Sequence, residues 1–176
     1  EYAEEYVGEG AKAQRRKADE PVVFVLSAKN EERLKSYAEK MAVFFEKGEA
    51  DDFDLAEIAY TSRVGREAME ERLAMIVGSM EDLRDKLKSF IEGDDNIEDF
   101  YRGSVKRNKD ALAVFDADED MAKIMDIWIS RGKYSKIADL WVKGLVFDWN
   151  RLYREVKPRR VSLPTYPFAK ERYWIE

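Results

Sequence analysis

Any chemistry in this sequence has to rest on carboxylates, because it contains no histidine and no cysteine. The missing histidine removes the commonest general base at neutral pH and the commonest zinc ligand. The missing cysteine removes disulfides, thiolate nucleophiles and thiolate metal sites. Two adjacent carboxylate pairs, Asp51 with Asp52 and Asp94 with Asp95, have residue types suited to magnesium binding or acid–base work. Runs of charge like these usually read as solvated loop acids. Asp116, Asp118, Glu119 and Asp120 resemble the opening of a calcium loop. With Asp116 as first ligand, however, the positions that need glycine and glutamate hold Met121 and Ile127. No Gly-x-Ser-x-Gly elbow is present, and Gly48, Gly65, Gly78 and Gly93 are scattered singly rather than gathered into a phosphate loop. The residues therefore point to no catalytic group, no cofactor and no metal.

Binding remains. Arg151, Arg154, Lys157, Arg159 and Arg160 form a basic cluster beside Trp149 and Tyr153. The net charge of −6 argues against a general nucleic-acid binder, which needs a basic face. Arginines beside an aromatic-rich segment fit hydrogen bonds to carboxylates or carbonyls of a neighbouring domain better. Trp128 and Trp141 have two readings: core filling, or contacts to a partner, where tryptophan is enriched. The candidate partner-binding residues are Trp128, Trp141, Arg159, Arg160, Tyr166, Phe168, Tyr173 and Trp174. No apolar run reaches the roughly 20 residues needed to span a bilayer, and the acidic, mixed beginning has no signal-peptide core. A cytoplasmic protein without membrane contact is the expectation.

The elements that must position these residues follow from periodicity. Residues 1–20 are polar and aperiodic and read as a linker or the end of a preceding domain. Val22–Leu26 is a continuous β-branched-rich run, which predicts a strand buried on both faces. With Ser27 as N-cap, Leu34, Tyr37, Ala38, Met41, Phe44 and Phe45 recur at helical spacing up to Gly48. Asp54 and Glu57 have capping-box spacing for a second helix, with Phe53 and Ile58 placed as a hydrophobic staple. Leu73–Val77 predicts a second strand. Ser79 caps a helix with the stripe Leu83, Leu87 and Phe90, ended by Gly93. Phe100–Lys106 predicts a third strand. The acids at 116–120 predict a helix start, followed by two short helices in a hairpin broken at Gly132 and closed by Gly144, and a further short helix from Asp148. From Lys157 onward, Pro158, Pro164 and Pro167 exclude helix and predict an extended strap whose aromatics need a surface. The expected fold is α/β (α+β): a small sheet of about three strands covered by helices, plus a helical hairpin and a C-terminal strap. Its divisions are residues 1–20 as linker, 21–115 as a β-α-α-β-α-β subdomain, 116–156 as a helical segment and 157–176 as the strap.

The string from Pro158 to Trp174, with Leu163-Pro164-Thr165-Tyr166-Pro167-Phe168 at its centre and Arg172-Tyr173-Trp174 at its end, resembles the strap that follows ketosynthase regions in modular polyketide synthases. Val23–Lys29 is similar to the first strand of the post-ketosynthase linker, and Ile58–Ala74 to its middle. The resemblance covers about Pro21 to Trp174. In cis-acyltransferase enzymes a whole acyltransferase separates linker from strap. Here there is no room for one, and no Gly-His-Ser-x-Gly motif. The resemblance therefore implies the trans-acyltransferase type and the acyltransferase docking domain, or flanking subdomain. It implies a ketosynthase in the same polypeptide, of which Glu1–Tyr6 are the last residues, and a free-standing acyltransferase as partners. In some members a helical insertion, here about Met121–Tyr153, makes lateral contacts between neighbouring synthases. Two roles stay open: recruitment of the acyltransferase, and a purely architectural adaptor or lateral-assembly element.

Overall fold

The computed structural model of the chain describes residues 21–65, 67–116, 118–153 and 156–167. Three strands, β1 (Val22–Ala28), β2 (Glu71–Val77) and β3 (Phe100–Ser104), form one antiparallel sheet in the order β1-β2-β3. Between β1 and β2 lie helices α1 (Glu31–Glu46) and α2 (Leu55–Val64), and between β2 and β3 lies α3 (Met80–Ile91). After β3 come α4 (Val105–Asp116), α5 (Met121–Ser130) and α6 (Tyr134–Val142), then a 3-10 turn at Trp149–Leu152 and the extended strap.

The alternation of a strand explains how so short a sheet is covered twice. Phe24, Leu26 and Ala28 of β1 point to one face, where Leu73, Met75 and Val77 of β2 join Leu34, Tyr37, Ala38, Met41 and Phe45 of α1 and Leu83, Leu87 and Phe90 of α3. Val23 and Val25 point to the other face with Ala74, where α6 supplies Ile137, Ala138, Trp141 and Val142, and α5 supplies Met125. Both faces being covered, β1 reads as a continuous apolar run although its sheet is antiparallel. The free edge of β1 is covered as well: Val25 N donates to Ser62 Oγ of α2 at 3.1 Å.

Local chemistry sets most of the ends. Glu57 Oε1 accepts from Asp54 N at 2.9 Å in the capping box of α2. Ser79 Oγ accepts from Asp82 N at 3.0 Å at the start of α3. Gly48, Gly93 and Gly132 take φ of 75, 84 and 67°, the left-handed region that closes helices at low cost in glycine. Four details differ from the sequence reading. The cap of α1 is Asn30, whose Oδ1 accepts from Arg33 N at 2.8 Å; Ser27 is still in β1, and its Oγ accepts from Met69 N at 2.9 Å. The second strand starts earlier, at Glu71. The third strand stops at Ser104, and α4 follows without a loop. Asp116 therefore ends α4, while Asp118 Oδ1 accepts from Asp120 N at 2.9 Å in the turn before α5.

Gly103 marks a tight approach between sheet and hairpin: a Cβ there would lie 2.7 Å from the backbone oxygen of Val142. Gly103→Ala is expected to destabilise the fold by about 1–3 kcal/mol, as overpacking does. The check is the urea midpoint, against a control at Val146, which is 92 % exposed, where Val146→Ser should leave it unchanged.

Candidate protein-docking site

The strap lies against α1, held by a stripe of polar side chains on that helix. Arg33, Tyr37 and Lys40 are spaced i, i+4 and i+7 and share one helix face. Arg33 Nη1 donates to Pro167 O at 3.3 Å, Tyr37 OH to Pro164 O at 3.5 Å, and Lys40 Nζ to Thr165 O at 2.9 Å. Tyr166 is buried, its ring edge-on to Tyr37 with centroids 5.7 Å apart. Its hydroxyl accepts from Lys29 N, just past the end of β1, at 3.0 Å. Further back, Val161 N donates to Thr61 Oγ1 at 2.9 Å, and Arg159 Nε pairs with Glu57 at 3.1 Å. An extended segment with no partner strand thus finds acceptors and donors along most of its described length.

The hairpin side carries the tryptophans. Trp141 is buried and meets Trp149 edge-on at 5.9 Å, and Trp149 in turn meets Phe147 at 5.0 Å. The Arg72 guanidinium from β2 lies 4.8 Å over the Trp141 ring, while its Nη1 donates to Trp141 O at 2.9 Å and its Nε to Met69 O at 2.7 Å. Burial lowers the Arg72 pKa from its ordinary value. These contacts tie β2 to α6. Arg63, at the end of α2, is buried between the rings of Trp149 and Tyr153, each 5.5 Å from its guanidinium carbon, and Nη2 donates to the Tyr153 hydroxyl. Burial lowers its pKa; tyrosines 153, 134 and 60 oppose that shift weakly.

Of the eight residues singled out in the sequence, the structure places Trp141 and Tyr166 in the core. Trp128 is half-buried on α5, with Lys136 Nζ 5.9 Å from its ring centroid. Arg159 and Arg160 are exposed on the strap, the first paired with Glu57. Phe168, Tyr173 and Trp174 lie outside the described residues. From the basic cluster, Arg151 pairs with Asp126 across the hairpin. The sequence reading missed Arg33, Lys40, Arg63 and Arg72. The first two carry a usable signal, their spacing around Tyr37; the other two depend on aromatics far away in sequence. Among the described residues no three acidic side chains gather as a metal site, and no helix is long and apolar enough to cross a membrane.

Comparison with known proteins agrees with this geometry. Residues 25–94 match the family model described as "RhiE-like, KS-MAT linker domain". The chain is 52 % identical over all 176 residues to polyketide synthase PksL of Bacillus subtilis (strain 168) and 52 % identical over 171 residues to PksM of the same strain. The chain belongs to this family of polyketide synthase linkers. It spans only about 4 % of the length of PksL, and likewise of PksM. The solved ketosynthase from module 6 of the bacillaene synthase of Bacillus subtilis 168 superposes with a TM-score of 0.78 at 44 % identity, over 84 % of this chain and 26 % of that one. A ketosynthase from module 1 of the Bacillus amyloliquefaciens FZB42 bacillaene synthase gives 0.74 at 39 % identity, over 85 % and 26 %. Strands β1 and β2 and helices α1, α2 and α3 fall largely within the residues that match this linker model.

The strap's grip on the linker domain is measurable. Tyr166→Phe removes the acceptor for the Lys29 amide and is expected to cost about 1–2 kcal/mol. Tyr166→Ala also empties a core position and should cost about 3–5 kcal/mol. Urea unfolding of both variants checks the order; equal midpoints in wild type and Tyr166→Ala would show the strap to be unbound.

Proposed function

We propose that this linker domain is a docking scaffold in the cytoplasm, joined to a ketosynthase of the same polypeptide and helping to recruit a free-standing acyltransferase. The observation that supports it most is the similarity to ketosynthase structures in which the matching region is one part of the chain. The linker contributes position rather than bond-making. An acyltransferase held beside its carrier protein transfers at the effective concentration set by the tether, which reaches the millimolar range for short linkers. A scaffold of this kind must be rigid, and the strap contacts to α1 and β1 supply that rigidity. In this reading the partner-facing groups are Trp128, Arg159 and Arg160, and we assign Phe168, Tyr173 and Trp174 to contacts with the ketosynthase. Titration calorimetry of the chain with the acyltransferase of its own assembly line should give saturable binding. No heat at high micromolar concentration would count against recruitment.

A second reading is favoured by α5. Its buried face presents Met125, yet Ile127 on the other side is 46 % exposed, with Ile124 and Trp128 half-buried near it. A helix apolar around most of its circumference ordinarily has cover on more than one side. This supports an architectural, lateral-assembly role between neighbouring synthases. It predicts concentration-dependent self-association by light scattering, lost in Ile127→Asp. A monomer at all concentrations, unchanged in the variant, would remove it.

A further inference from the structure

The strap bridges over a cavity of about 520 Å³. Its floor is the edge of β1 at Val25–Ser27, its sides are the end of α2 and the aromatic wall of Trp141, Phe147 and Trp149, and its roof is strap residues 160–166. Among the described residues three charged side chains line it. Arg63 is buried, with 7 % of its surface exposed, while Arg160 and Glu67 are exposed at the rim. The described lining thus carries two cations against one anion in a chain whose net charge is −6.

Arg63 is the unusual member. A buried guanidinium is ordinarily compensated by a carboxylate, because removing an ion from water costs several kcal/mol even after relaxation. Among the described residues Arg63 has no such partner: Nη2 donates to the Tyr153 hydroxyl, and Nε is buried with no acceptor at all. The groups that interact electrostatically with it are tyrosines, and desolvation outweighs them. Trp149 and Tyr153 flank the guanidinium, and a carboxylate binds to such a group through its N–H donors. Ser62 and Thr61 beside it are already committed to Val25 N and Val161 N. The remaining wall mixes the aromatic side chains of Trp141, Phe147 and Trp149 with the hydroxyls of Ser27, Ser162 and Thr165. Space, a buried guanidinium with no carboxylate partner among the described residues and the three aromatic side chains of the wall together point to a ligand with an anionic head and a compact, partly aromatic body.

We propose that the cavity beneath the strap is a binding site for an organic carboxylate, its head on the Arg63 guanidinium and its body against Trp141, Phe147 and Trp149. The inference stands apart from the docking reading: its test contains neither ketosynthase nor acyltransferase, so either can fail alone.

The test uses the full chain with phenylacetate and its neutral isostere phenylacetamide, followed by calorimetry and tryptophan fluorescence. Phenylacetate should bind at least about tenfold tighter, the weight of one charge-assisted hydrogen-bonded pair. Arg63→Met should abolish the preference and Arg63→Lys should keep part of it. Arg160→Glu, an exposed position with no bearing on folding, should weaken phenylacetate several-fold and leave phenylacetamide unchanged. This rim variant decides the location if Arg63→Met does not fold. Equal affinity for the two compounds, no binding of either, or a preference that survives both Arg63→Met and Arg160→Glu would overturn the proposal.

Discussion

The structure depends on covering β1. An isolated small antiparallel sheet is marginal in water, and its edge strand offers unpaired backbone groups to any passing chain. Here β1 is an edge strand apolar on both faces except at Ser27, so it needs cover on three sides. Helices α1 and α3 close one face and the α5–α6 hairpin closes the other. Ser62 and the strap close the edge, with the Tyr166 hydroxyl accepting the amide that follows the strand. Residues from across the described chain converge on one seven-residue strand, which is why so much regular structure surrounds so short a sheet.

This arrangement also explains what the domain is suited to do. Docking gains from surfaces that are already ordered, because ordering them at the moment of association costs affinity. The strap is fixed by backbone carbonyls that meet Arg33, Tyr37 and Lys40. Two cations, the buried Arg63 and the half-buried Arg72, perform a similar task on the opposite side by lying against aromatics of the hairpin and the turn after it. Arg72 donates to two backbone oxygens, whereas Nε of Arg63 has no acceptor among the described residues.

Much of the fold was legible because its signals are local. Val22–Leu26 announces a doubly buried strand, the 3.6-residue stripes announce α1 and α3, and Asp54 with Glu57 announces the start of α2. The prolines and aromatics from Lys157 onward announce a strap that must lie on something, although not on which helix. Helix α4 was hidden for a physical reason. It begins directly from β3, and its first half, Lys106 to Asp110, is wholly polar, so no apolar period reveals it. Ser27 misled because a strand residue at an edge and an N-cap use the same hydroxyl chemistry. The candidate site was harder to read than the fold. Whether Trp141 faces the core or a partner is decided by Arg72, a residue 69 positions away. The environment of Arg63 is set by Tyr153, 90 positions on, which no local pattern encodes.

Native-state hydrogen exchange at the amides of Lys29 and Val161 tests most directly whether the strap is an integral part of the domain. Both donate to side chains across the strap boundary, Lys29 to Tyr166 and Val161 to Thr61. If the strap completes the cover of β1, both amides exchange with the opening free energy of the strand itself, close to that of Phe24. Exchange of these two amides at the rate of an unstructured chain, with β1 still protected, would show that the sheet is closed without the strap and would contradict the account.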